Sequence, residues 1–185
     1  MGSGKVAVRA AAGASVDAAS VAAQARALGV LGWVRPTGEL HAEGESEAVE
    51  AAVALLGPGA TSDRVKVEGH EQFAVRGVPA GPFLVAETAR GYVLRLEVDG
   101  SPRSWTLAKA PSMDPAVKRM AFEGDAEATS TWDAGDYEQG GRVAWPEAID
   151  HGHAVFVLHG AKLEGGFALQ RTKPGTWLLI KRREP

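Results

Sequence analysis

The sequence of 185 residues contains no cysteine, and aromatic residues make up only 6% of it. The absence of cysteine excludes disulfide bonds, thiolate catalysis and cysteine-ligated zinc. No apolar run approaches the roughly 18 residues of a membrane-spanning helix, and no N-terminal segment has the pattern of an export signal. We therefore expect a cytoplasmic protein without a membrane partner.

The charges of the chain are nearly balanced. Its 20 basic and 23 acidic residues give a formal net charge of −3, so the protein has no overall basic field that would attract nucleic acid. Any contact with an anion therefore needs a local basic patch. The hydrophobic fraction of 45% is enough for a packed core, and the length suits one large domain or two small ones.

The first 75 residues alternate between strand and helix patterns. The segments in order are a strand at Lys5–Ala10, a helix from the capping residue Ser15 to the stop at Gly29, two strands joined at Pro36–Gly38, a helix from Ser46 to Gly57 and a strand with Val65 and Val67. The order strand, helix, strand, strand, helix, strand predicts a ferredoxin-like sandwich.

The stretch "ALGVLGWVRPTGELHAEGESEAVEAAVALL" resembles the acylphosphatase family, and the resemblance covers roughly residues 5 to 70. In that family a glycine-rich loop after the first strand cradles a phosphate and delivers an arginine, and an asparagine positions the attacking water. Here Ala18 stands about where the arginine belongs, and Pro36 replaces the asparagine. Without a guanidinium to polarise an acyl phosphate, the resemblance implies the fold of an acylphosphatase without its activity.

After residue 82 the pattern changes to short strands. "YVLRLEVDGSPRSWTL" predicts two strands around a turn at Asp99-Gly100, and "AVFVLHGAKLEGGFALQRT" with "TWLLIKR" supplies three more. The acidic stretch "WDAGDYEQGG" is typical of a solvated loop. Strands at this spacing predict a compact barrel or sandwich. We expect an α+β protein with a sandwich at residues 1–75, a linker at 76–82 and a small all-β barrel at 83–185.

Several stretches of the second part, in order, resemble the 3′-phosphoesterase domain of bacterial DNA ligase D. They are "LRLEVDGSPRSWTLAKAPSMDPAVKRMA", "GDYEQGGRVAW", "LHGAKLEGGFALQRT" and "WLLIKR". That family trims 3′ phosphate or ribonucleotide ends of DNA with a divalent metal, which histidines and an aspartate hold. At the matching positions this chain has Gly91, Val93 and Ala126, none of which offers a side-chain donor. The resemblance thus implies that this metal centre is lost, and we expect no metal and no cofactor.

The residues that hold phosphate oxygens in that family are retained. Arg95, Lys109 and Arg119 match them, and Glu97 shares a strand face with Arg95. Three converging cations need carboxylates or an anionic ligand, and Glu97 and Asp114 are the candidates for internal partners. The sequence therefore predicts a cationic pocket. The alternative is that these residues are surface charges, with Arg95 and Glu97 forming a solvated pair.

Two functional hypotheses rank nearly level. The first is a binding module, a degenerate phosphoesterase-like pseudoenzyme whose ligand is an anionic small molecule or another phosphate-bearing group. Its ligand-binding residues are Arg95, Glu97, Lys109 and Arg119. The second is a metal-independent enzyme with new chemistry on a small, biosynthetic intermediate, with Lys109 and Arg95 as its catalytic residues.

A third hypothesis ranks below both. It is a residual DNA 3′-end phosphoesterase that uses substitute metal ligands such as Glu87, His151 or His153. Under this hypothesis the partner is a nucleic-acid end rather than a small anion. Only this hypothesis predicts metal-dependent release of phosphate from DNA ends.

Overall fold

A computed structural model describes residues 4–183, which divide into two compact units. The N-terminal unit comprises the residues up to Val78 together with Arg142–Ala144, and the barrel unit comprises Pro79–Gly141 and the chain from Trp145 onward. Helices and a mixed sheet occur in the first and a closed antiparallel barrel forms the second, so the protein is of the α+β class. Within residues 4–183 no helix is both long and apolar enough to cross a membrane.

The N-terminal unit is a five-stranded sheet with two helices on one face. Its elements are β1 (Val6–Ala11), α1 (Ala18–Ala27), β2 (Leu31–Val34), β3 (Glu39–Gly44), α2 (Ser46–Ala54), β4 (Thr61–Val65) and β5 (Phe73–Val75). The strand order is β4-β1-β3-β2-β5, with every pair antiparallel except β2 and β5. The helices pack on the strand residues Ala10, Val34, Leu40 and Ala42. Because side chains alternate along a strand, Arg9, Trp33, His41 and Glu43 lie on the opposite face.

In this unit, some helix and strand boundaries differ from those predicted from the sequence. The N-cap of helix α1 lies two residues later than expected, because the carboxylate of Asp17 rather than the hydroxyl of Ser15 accepts the backbone N–H of Ser20. The stop at Gly29 is confirmed, and its φ of 73° explains the glycine. Strand β4 ends at Val65 and is exposed throughout, as an edge strand can be. Strand β5 has only three residues, too few to show an alternation pattern.

The barrel unit is a closed barrel of eight antiparallel strands, which confirms the predicted barrel. Its elements are β6 (Gly81–Thr88), β7 (Gly91–Val98), β8 (Ser101–Leu107), β9 (Lys118–Glu123), β10 (Ala128–Gln139), α3 (Glu147–Asp150), β11 (His153–Gly160), β12 (Glu164–Lys173) and β13 (Thr176–Lys181). The strand order is β10-β11-β12-β13-β9-β8-β7-β6, and β10 closes the barrel on β6. The predicted hairpin turn is confirmed, since Asp99 and Gly100 have φ values of 50° and 74°.

Large side chains fill the barrel. Trp105 and Trp177 meet edge to face with ring centroids 5.9 Å apart, and Tyr137, Phe156 and Phe167 are fully buried beside them. Burying aromatic residues of this size supplies much of the apolar area that stabilises a small barrel. The interior is therefore a packed core, and any ligand site must lie on the outside or at an end of the barrel.

The acidic stretch after Trp132 is a strand, which corrects the loop prediction. Asp133 and Tyr137 point inward on β10 and are 4% and 0% exposed. A glycine is required at position 135 because a β-carbon there would overlap the carbonyl oxygen of His159 on β11. Glycine and aspartate are typical of loops, so the composition of this stretch predicts a loop. The glycine is instead part of a strand, where it allows β10 and β11 to approach closely.

Candidate functional site

The positions that match the metal ligands of the DNA ligase D phosphoesterases do not fit a divalent metal. Val93 is fully buried and lies opposite Ala86 in the β6–β7 ladder. Gly91 has a φ of 145°, and a β-carbon at this position would overlap the carbonyl oxygen of Leu107. The carbonyl of Ala126 accepts a hydrogen bond from Arg95. No side chain at positions 91, 93 or 126 can therefore donate to an ion.

The substitute ligands suggested by the sequence are not grouped. Glu87 accepts a hydrogen bond from the hydroxyl of Ser130 at 2.9 Å, and His151 lies 3.4 Å from Glu147 at the end of α3. His153 is exposed at the start of β11. Within residues 4–183, Glu87, His151 and His153 do not form a set of donors close enough to share an ion.

Arg95 lies on β7 and is held by an ion pair. Its Nε donates to Asp125 Oδ1 at 2.8 Å, and its Nη2 donates to the carbonyl oxygen of Ala126 at 2.8 Å. The hydrogen bond from Arg95 holds the pKa of Asp125 below its usual value, so this carboxylate is charged at neutral pH. The internal partner of Arg95 is thus Asp125 and not Glu97 or Asp114. Glu97 is exposed, and Asp114 accepts a backbone N–H within its own turn.

Arg119 on β9 is hydrogen-bonded to the segment that contains Lys109. The Nε of Arg119, which is partly buried, donates to the carbonyl oxygen of Ala110 at 2.8 Å, and Lys109 is the exposed residue before Ala110. In the part of the chain that the structure describes, no carboxylate pairs with either side chain. These two cations therefore remain without a balancing charge from residues 4–183.

The strand registers give the distance between Arg95 and Arg119 along the strand direction. Arg95 on β7 lies opposite Ser104 on β8. Leu107 on β8 lies opposite Ala121 on β9, so the same register, continued by two residues, places Arg119 opposite position 109. Measured along β8, positions 104 and 109 are about five residues apart, which is about 16 Å at the rise of a β-strand. The structure places Arg95 in an ion pair with Asp125 and bonds Arg119 to the residue after Lys109, and convergence of all three cations on one ligand stays a prediction.

In the N-terminal unit, the loop after β1 is bound to the β2–β3 turn. The backbone N–H groups of Ala12 and Val16 donate to the carbonyls of Gly38 and Pro36, each at 3.0 Å. Ala18 is the first residue of α1, and its methyl group is buried in the core. Two amides of this loop are thus already used, and no guanidinium extends from Ala18.

We expect the protein to show no hydrolysis of a simple acyl phosphate. The reason is that Ala18 and Pro36 provide neither a charge to polarise the phosphate nor an amide to hold the attacking water. Release of inorganic phosphate from acetyl phosphate is the measurement, with an unrelated protein at the same concentration as the control. Turnover well above that control would contradict the prediction.

A buried polar cluster that the sequence did not predict lies on the helix-free face of the N-terminal sheet. We call His41, Glu43 and His70 the histidine–glutamate cluster; they are 0%, 3% and 4% exposed. It is the one group of three or more metal-ligating side chains within residues 4–183 whose donor atoms all lie within 4.8 Å of one another. The sequence pattern did not indicate that His41 and Glu43 are buried. Polar residues that alternate with apolar ones such as Leu40 and Ala42 usually form the solvent-exposed face of a sheet.

The Glu43 carboxylate is the centre of this cluster. It accepts hydrogen bonds from His41 Nε2 at 2.8 Å and from the backbone N–H groups of Glu68, Gly69 and His70. Burial by itself would raise the pKa of Glu43, but the hydrogen bonds from His41 and the backbone outweigh it and lower the pKa. Burial and, next, the charge of Arg76 lower the pKa of His70. The cluster therefore combines an ionised carboxylate with a neutral imidazole.

Three arginines surround the indole of Trp33 beside this cluster. The guanidinium carbons of Arg9, Arg35 and Arg76 lie 5.4, 5.4 and 5.3 Å from its ring centroid, within the range of cation–π contacts. The imidazole of His41 stacks against the same indole at 6.1 Å. These contacts leave Trp33 only 6% exposed.

Comparison with known proteins identifies two relatives. The multifunctional non-homologous end joining protein LigD of Pseudomonas aeruginosa is 36% identical over 115 residues, which cover 50% of this chain and 14% of that protein. LigD of Mycolicibacterium smegmatis is 30% identical over 117 residues, covering 50% of this chain and 15% of that protein. The chain therefore spans about a seventh of the length of these relatives. Similarity to LigD, predicted from the sequence, is supported over half of the chain.

A solved acylphosphatase from Coxiella burnetii aligns with 39% of this chain and 93% of its own length, at 24% identity and a TM-score of 0.36. No protein-family profile matches the chain.

Proposed function

We propose that this chain is a degenerate phosphoesterase-like protein that binds a phosphorylated ligand on its barrel and has lost metal-dependent catalysis. The observation that carries the proposal is that Arg119 is hydrogen-bonded to Ala110, the residue after Lys109, and that neither cation has a carboxylate partner in residues 4–183. Similarity to LigD over half of the chain supports an origin in phosphate chemistry.

The hydrogen bond of Arg119 to Ala110 suits this role. It fixes one side of the guanidinium and leaves both Nη groups for a ligand, so little side-chain entropy is lost when an anion binds. A phosphate group can accept two parallel hydrogen bonds from such a fork while the ammonium of Lys109 adds a point charge. Lys109 and Arg119 carry like charges, and an anion bound by both would relieve their repulsion.

Loss of metal-dependent catalysis is supported by positions 91 and 93. The close approach of Gly91 to Leu107 and the burial of Val93 leave no room for the donors that the ion would need. The protein would therefore hold a phosphate without activating water on an ion.

For the N-terminal unit we propose the ferredoxin-like sandwich of the acylphosphatases, serving as a scaffold. The sheet order β4-β1-β3-β2 with both helices on one face supports that assignment. The division of the chain after Val78 lies inside the linker proposed at residues 76–82, between domains at 1–75 and 83–185.

Calorimetric titration with inorganic phosphate, and with a short DNA oligonucleotide that carries a 3′ phosphate, tests the proposal. Lys109→Met and Arg119→Gln should each weaken binding by about 10-fold or more, as expected for hydrogen bonds to a charged group. Lys118→Met is the matched control, because Lys118 is an exposed cation next to Arg119 on β9. Unchanged affinity in both site variants would overturn the binding site. Manganese-dependent phosphate release from the oligonucleotide would instead support the residual phosphoesterase.

Asp125→Asn tests whether Arg95 belongs to the same site. The substitution removes the charge that balances Arg95, so phosphate should bind a few-fold more tightly if the arginine reaches the ligand. Asp114→Asn, which removes the same charge from an exposed turn, serves as the control. Equal affinity in wild type and Asp125→Asn would mean that Arg95 has only its structural role with Asp125 and Ala126.

A further inference from the structure

We propose that the histidine–glutamate cluster of the N-terminal unit binds a divalent first-row transition-metal ion, with Zn²⁺ as the expected ion. The proposal is independent of phosphate binding on the barrel, because all of its residues belong to the N-terminal unit. Two independent observations carry it, the set of donor atoms and the unpartnered imidazole nitrogens.

The donor set matches the chemistry of such ions. Two imidazoles and one carboxylate favour zinc and its neighbours over magnesium or calcium, which prefer oxygen ligands alone. Ligands of zinc at about 2.0 to 2.2 Å stand about 3 to 3.5 Å apart. His41, Glu43 and His70 each offer one ligating atom, and these three atoms all lie within 4.8 Å of one another. Small side-chain rotations therefore suffice to close the group around an ion.

The imidazoles of the cluster each keep a nitrogen without a partner. Among the described residues, Nδ1 of His41 and Nδ1 of His70 are buried and have no hydrogen-bond partner. The other nitrogen of each ring is used, by Glu43 at 2.8 Å for His41 and by Glu68 at 3.2 Å for His70. Buried polar atoms are rarely left unpaired, and an unoccupied lone pair on a neutral imidazole is the form that binds metal.

The surroundings of the cluster resemble the support that metal ligands need. The carboxylate of Glu68 orients the ring of His70 and also pairs with Arg9 at 3.3 Å, so the charge of Arg9 is balanced. Three backbone N–H groups hold Glu43 rigidly. An ion would replace one of the four hydrogen bonds that Glu43 accepts, and it would join β3 to the segment containing residues 68–70.

Cobalt titration of the full chain, stripped of metal with a chelator, tests the proposal. We expect one Co²⁺ per chain with visible d–d absorption, displacement of Co²⁺ by Zn²⁺, and a higher thermal midpoint with Zn²⁺. His70→Ala should weaken binding by about 100-fold or more, since it removes a ligand. His153→Ala, an exposed histidine of the barrel unit, should change nothing.

Glu68→Gln provides a second variant that leaves the buried residues in place. Glu68 is 42% exposed, so the variant should fold, and loss of its carboxylate should weaken the metal by about 10-fold through the orientation of His70. Absence of a stoichiometric cobalt signal in the wild-type chain would overturn the proposal. Binding that His153→Ala removes, or that His70→Ala and Glu68→Gln both leave intact, would also overturn it.

Discussion

Gly91→His is expected to destabilise the barrel unit and to restore no metal site, although it returns a histidine to a position that matches a ligand of the DNA ligase D phosphoesterases. The β-carbon would overlap the carbonyl oxygen of Leu107 and lie 3.0 Å from the α-carbon of Ala108, at a φ of 145°. Both contacts are to backbone, so β7 and β8 must separate. We expect a loss of more than about 3 kcal/mol in the free energy of unfolding.

Urea denaturation followed by tryptophan fluorescence measures this loss. Arg90→His is the matched control, because Arg90 is the exposed neighbour in the β6–β7 turn and tolerates the same side chain. That control should change the free energy of unfolding by less than about 0.5 kcal/mol. If Gly91→His were as stable as wild type and bound Mn²⁺ stoichiometrically, the lost metal centre would be one substitution from function and our account of this strand would be wrong.

Asp133→Asn should lower the free energy of unfolding by about 2 to 4 kcal/mol. Asp133 is 4% exposed, and its carboxylate accepts the backbone N–H groups of Ala161, Lys162 and Leu163 at 3.0, 3.2 and 2.8 Å. An amide of the same shape replaces one acceptor oxygen with an N–H₂ group, which then faces backbone donors. At least one backbone N–H of the β11–β12 turn thereby loses its acceptor.

The control for this variant lies on the same strand. Asp136 is exposed three residues later on β10, so Asp136→Asn removes the same charge without touching the turn. Comparing the two urea midpoints separates the hydrogen bonds of Asp133 from the change in net charge. Equal midpoints for Asp133→Asn and Asp136→Asn would show that the carboxylate does not hold the turn.

The sequence predicted the local structure correctly where a few neighbouring residues decide the backbone conformation. The Asp99-Gly100 turn predicts its hairpin because both residues tolerate positive φ, and Gly29 predicts the end of α1 for the same reason. The regular spacing of short strands predicts a compact barrel or sandwich, and the structure shows the barrel. Strand β10 was predicted as a loop because it is rich in aspartate and glycine. In the structure Gly135 allows close approach of β11 and Asp133 accepts hydrogen bonds from the β11–β12 turn, and composition does not show either contact.

The sequence by itself determined the α+β class, and its resemblance to a known family predicted the barrel and a set of candidate site residues, Arg95, Lys109 and Arg119. Only the tertiary structure decided which partners these side chains have, because Arg95 meets Asp125 thirty residues away. The same holds for the histidine–glutamate cluster, in which His70 reaches Glu43 across 27 positions of the chain. Contacts of this kind depend on strand register and on a segment crossing the sheet, and no local periodicity encodes either of them.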